Sequence, residues 1–84
     1  METNERLREQ IFEIIQNQLK DNNPRETKTT YNRLRNQGFD DWETRQMIGQ
    51  CLIVELFDAL KFGKPYDEAR YIENLKALPK EPFD

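Results

Sequence analysis

The stretch Asp41–Phe62, DWETRQMIGQCLIVELFDALKF, constrains this chain most, because it is long, free of proline and apolar around most of a helical circumference. At about 100° per residue, Ile48, Cys51, Leu52, Leu56, Ala59 and Leu60 make a stripe, and Met47, Ile53, Val54 and Phe57 widen it well beyond the stripe of an ordinary surface helix. A helix of this kind must be covered on more than one side. Its ends are written beside it. Gly38 suits the left-handed turn that closes a preceding helix, and Asp40 followed by Glu43 fits a capping box. Gly63, Lys64 and Pro65 supply a C-cap, a cation for the last carbonyls and a residue that cannot continue the helix.

The other segments are shorter helices. From about residue 4 to 20, Leu7, Ile11, Ile14, Ile15 and Leu19 repeat at helical spacing with Phe12 beside them, and Thr3 or Asn4 is a plausible cap. Asp21 to Pro24 reads as a turn, with Pro24 at the first position of a helix reaching about residue 37. That second helix offers the core only Tyr31 and Leu34, helped by Thr27 and Thr30, and turns Arg25, Lys28, Arg33 and Arg35 to water. Asp67 caps a fourth helix over 67–77, with Ala69, Ile72 and Leu75 on one face and Tyr71 and Leu78 beside it. Pro79 and Pro82 keep 79–84 irregular, with Phe83 placed to fold back on the body. No alternating run suggests a strand, so the expected architecture is one all-α domain of four helices with a long central third.

Eighty-four residues make one domain, in which only about 60 to 65% of the unfolded chain's surface can leave water. Hydrophobic content of 36% and a mean hydropathy of −1.01 reflect charged flanks around a concentrated core. A net charge of −3 argues against nucleic acid as a partner, and four scattered cations on the second helix read as a solvated face. No histidine and one cysteine exclude the common zinc, haem and histidine-based catalytic constellations, and no glycine-rich phosphate loop is present, so no metal, cofactor or catalytic residue is assigned. The single cysteine cannot form an internal disulfide, and no signal core or membrane span is seen, which together point to the cytoplasm.

Polar residues on apolar faces are the candidates for a site. Glu55 lies between Ile48, Cys51, Ala59 and Phe62, and Arg8 and Gln18 lie within the arc of Leu7, Ile11, Ile15 and Leu19. A buried carboxylate needs a partner, and Arg8 is the candidate for Glu55. The pair reads first as structural; alternatively Arg8, Gln18, Tyr31 and Glu55 line a site for an anionic small molecule between the first and third helices. The excess apolar surface of the third helix leaves Trp42, Val54 and Phe57 as candidates for an interface, either of a homodimer or with another protein.

Two resemblances bear on this reading. LRNQGFDDWETRQMI, with Gly38 and Phe39 between helices, resembles the glycine-aromatic loop of ubiquitin-associated-type three-helix domains, but the helix that follows there is short, so the pair is read here as a helix-turn device. The ordered segments QLKDNNP, YNRL, MIGQCLIVELFDAL and GKPYDEARYIENLKALP, spanning Gln18 to Pro79, resemble a family of small bacterial helical proteins of unknown function. That family carries two histidines one helical turn apart in its first helix, a third early in the long helix, and a glutamate where Val54 stands. Arg8, Phe12 and Gln46 occupy the matching positions here, so the resemblance implies the fold and no activity. The expected role is non-enzymatic protein–protein association.

Overall fold

The capping residues set the corners of the chain. The computed structural model, which describes residues 2–80 and their side chains from residue 5 onward, places α1 at Glu2–Asp21, α2 at Arg25–Asn36, α3 at Asp41–Phe62 and α4 at Glu68–Ala77. No strand occurs among the described residues, and the chain is an all-α four-helix domain organised around α3. Phe83 lies outside the described residues.

At the start of α3 the Asp40 carboxylate accepts from the Glu43 amide at 2.7 Å and the Glu43 carboxylate accepts from the Asp40 amide at 3.0 Å, which is both halves of a capping box. At its end Gly63 adopts φ 64° and donates its N–H to the Ala59 carbonyl at 3.1 Å. The corner between α2 and α3 is a Schellman turn: Gly38, at φ 104°, donates to Arg35, and Phe39 donates to Leu34. Phe39 then packs half-buried against the core, as a helix-turn device requires. The first two helix starts differ from expectation. α1 begins at Glu2, so Thr3 and Asn4 fall within the helix, and Pro24 is the residue before α2, extended at φ −71° and ψ 148°, with its carbonyl accepting from Thr27.

The core takes Ile11 and Ile15 from α1, Leu34 from α2, Ile48, Cys51 and Leu52 from α3, and Tyr71, Leu75 and Leu78 from α4. Helices α1 and α4 each pack on both α2 and α3, and the backbones of α1 and α4 do not meet. Close approach of α1 to α3 depends on Gly49, where an added Cβ would sit 3.1 Å from Ile11 Cγ2. As expected, α2 contributes little apolar surface, burying Thr27 and Thr30 beside Leu34.

Two faces are rotated from the sequence reading. In α4 the buried set is Tyr71, Asn74 and Leu75, with Ile72 half-buried and Ala69 exposed, because the helix is held by its Asp67 end and turns the tyrosine inward. In α2, Arg33 does not face water. Its guanidinium donates to the Leu78 carbonyl at 2.8 Å and, beside the Leu78 N–H, to the Leu75 carbonyl at 3.0 Å, so it adds side-chain donors at the C-terminal end of α4.

Candidate functional site

The four side chains expected to share one polar site stand in four different settings. Glu55 is buried, as anticipated, but its cation is Arg70 of α4 and not Arg8. Arg70 Nε donates to Glu55 Oε2 at 2.6 Å, and Arg70 Nη2 donates both to Glu55 Oε1 at 3.1 Å and to Asp58 Oδ2 at 2.7 Å. The Asp67 amide adds a bond to Glu55 Oε1 at 2.9 Å, while the Asp67 side chain caps α4 by accepting from the Arg70 amide. The carboxylate of α3 thus grips the positive end of α4 through a backbone donor and a first-turn arginine. The bonds to Glu55 and then Asp58 raise the pKa of Arg70. This is a structural clamp whose carboxylate atoms are occupied within the protein. The sequence points to Glu55 but not to its partner, because a wheel drawn on one helix shows nothing of what an adjacent helix brings.

Gln18 is a joint between helices. Its Oε1 accepts from Thr27 Oγ1 at 2.7 Å and from the Tyr71 hydroxyl at 2.7 Å. Burial, the main cause, raises the pKa of Tyr71, so this hydroxyl keeps its proton to donate. Tyr31 belongs to a surface network. Its hydroxyl donates to Asp41, accepts from Arg35 at 3.1 Å, and its ring lies beneath the guanidinium groups of Arg35 and Arg45. Arg45 also bonds Asp41 at 3.0 Å and Gln16 at 3.1 Å, tying α1 to the start of α3. The Tyr31 and then the Arg45 hydrogen bonds hold the Asp41 carboxyl below its ordinary range.

Arg8 alone stands at an open cavity between α1 and α3. The cavity measures about 220 Å³, and it is lined by Leu7, Ile11, Phe12 and Ile53 together with Arg8, Gln46, Gln50 and the bare backbone of Gly49. Among the described residues, no group of three or more histidine, cysteine or carboxylate side chains is gathered so as to hold a metal ion. The Cys51 thiol is buried, and that burial pushes its pKa up to about 12, leaving it a poor nucleophile.

Alongside this cavity runs an apolar groove lined by Leu7, Ile53, Leu56, Phe57 and Leu60 and by no polar residue. Leu60 is 85% exposed and Phe57 53%, and Lys61 Nζ lies over the rings of both Phe57 and Phe62. Of the three expected interface residues, Phe57 is in this groove, Val54 is half-buried, and Trp42 is 59% exposed near the opposite end of α3. Periodicity puts Leu7 and Leu60 on the apolar stripes of α1 and α3 and Ile53 beside the latter, yet all three are exposed. The basic face of α2 is divided: Arg33 serves α4 and Arg25 lies 3.8 Å from Glu26. No described helix is long and apolar enough to cross a membrane. Comparison with known protein families, characterised proteins and solved structures returns no match.

Proposed function

We propose that this domain works by protein–protein association rather than catalysis, with a second copy of itself as the partner, through the α1–α3 groove. The reading places it in a reducing cytoplasm, where its one cysteine stays a thiol. The observation that carries it is the groove of Leu7, Ile53, Leu56, Phe57 and Leu60, a continuous apolar surface on an otherwise strongly charged small protein. Contiguous apolar surface of this kind typically marks an interface, and a two-fold pairing brings the same patch of each copy onto the other. A stable pairing covers about 800 Å² per partner, roughly a seventh of this molecule's 5920 Å² of accessible surface. The polar clusters at Glu55, Gln18 and Tyr31 bond within the protein.

The test is the mass in solution. Sedimentation at micromolar concentration is expected to give twice the 10.2 kDa of one chain, dissociating on dilution. Leu60→Asp, at an exposed position, is expected to return the single-chain mass with helicity unchanged. A wild-type mass of 10.2 kDa at every concentration refutes the proposal.

A further inference from the structure

We infer that the cavity between α1 and α3 beneath Arg8 binds a small amphiphilic carboxylate, its anionic head on Arg8 and its apolar tail between the helices. The inference does not rest on self-association, which would compete for the same face because Leu7 and Ile53 line both cavity and groove; it rests on how polar groups are distributed. Most side chains that bring polarity inside this fold are matched internally: Glu55 by Arg70 and Asp67, Gln18 by Thr27 and Tyr71, Arg33 by the carbonyls of α4. At the cavity the polar side chains face solvent instead: Arg8 and Gln50, which are exposed, and Gln46, half-buried, line one 220 Å³ space and make no hydrogen bond or ion pair among the described residues.

The floor beneath them is apolar. Ile11, Phe12 and Ile53 line it, and the missing side chain at Gly49 leaves room where a Cβ would press on Ile11 at 3.1 Å. A guanidinium beside two neutral amides above an apolar floor selects the ligand by charge and shape. The planar fork of arginine matches the two oxygens of a carboxylate, and a single cation balances a monoanion better than a phosphate dianion. Gln46 and Gln50 are one turn apart on α3, so their amide N–H groups face the same side and can complete the hydrogen bonds of the head.

Size limits the tail. The cavity is smaller than the roughly 300 to 1,000 Å³ of sites for drug-sized molecules, and at about 30 Å³ per water it matches about seven waters. A carboxylate with a tail of about five to seven carbons has that bulk. With so few atoms in contact, a dissociation constant of about 1 mM is expected.

The experiment titrates the Leu60→Asp chain, in which pairing cannot cover the cavity, with hexanoate and with neutral hexanamide, followed by amide chemical shifts. Hexanoate is expected to move signals of residues 7–12 and 46–53 saturably, with hexanamide about tenfold weaker or worse, the scale of a charge-assisted pair. Arg8→Gln, an exposed change that leaves the fold intact, is expected to weaken hexanoate by about tenfold, and Arg8→Lys by less. Linear, unsaturated shifts to about 20 mM overturn the proposal, since that is well past the expected constant. So does equal binding of hexanamide, or equal binding of hexanoate by Arg8→Gln. Sedimentation of the same samples reports assembly separately, so neither proposal's failure is mistaken for the other's.

Discussion

Arg70→Met tests the clamp between α3 and α4 and has a magnitude that can be worked from the geometry. The substitution keeps side-chain length but removes both bonds to Glu55 and the bond to Asp58, leaving Glu55 with the Asp67 amide alone. The Glu55 side chain is 0% exposed, so the uncompensated charge has no water to turn to, and a broken buried pair costs about 3 to 5 kcal/mol. Arg70 is 21% exposed and Asp58 10%, so water relieves part of the loss at Asp58 and the lower end applies.

Urea melts of variant and wild type are expected to differ by about 3 kcal/mol at pH 7, a fall in Tm of roughly 12 to 24 °C. Adding Glu55→Gln removes the stranded charge, and is expected to restore at least about 1 kcal/mol. A deficit within about 0.5 kcal/mol of zero, or no recovery in the double variant, refutes the buried-clamp argument.

Two further outcomes follow from buried groups of α3. Thr44 is fully buried with a hydroxyl that has no partner among the described residues, so Thr44→Val, which keeps the shape, is expected to raise stability by about 1 kcal/mol in a urea melt; a loss of that size would show that the hydroxyl is bonded in solution. Cys51, whose thiol pKa burial pushes up to about 12, is expected to resist iodoacetamide at pH 8 until the chain is unfolded in guanidinium, and labelling of the native protein at the rate of a free thiol would contradict its placement.

The helices were legible because their ends carry stop and start chemistry. Asp40 with Glu43, Gly38 and Gly63 fix the two corners on either side of α3 by hydrogen bonds that a handful of adjacent residues determine, and α3 spans the residues that periodicity assigns to it. The burial of Glu55 was legible for the same local reason, since its neighbours on the helix are apolar. Its partner was not, because Arg70 is read from sequence as one more charge on a short helix and becomes interior only when Asp67 aims the start of α4 at α3. Arg33 escaped notice likewise: the carbonyls it serves belong to residues 75 and 78, brought to it by packing. Surplus apolar surface on α3 was legible, and Phe57 and Trp42 are exposed as expected, but the exposure of Ile53 and Leu60 was not, because which residues are left bare depends on how α1 crosses α3.

The joint at Gln18 has a consequence for how this sequence can vary. One carbonyl oxygen on α1 receives hydroxyl protons from α2 and from α4, helices that reach it from residues 27 and 71. The Thr27 and Tyr71 hydroxyls also lie 3.3 Å apart, so without the acceptor one can donate to the other while the second loses its acceptor, and losing either hydroxyl leaves the amide under-used; single exchanges at these positions are penalised while concerted ones are tolerated. Among related chains, positions 18, 27 and 71 should therefore co-vary as a set, polar together or apolar together. That three-way signature would reveal the meeting of α1, α2 and α4 in sequences whose structures are unknown.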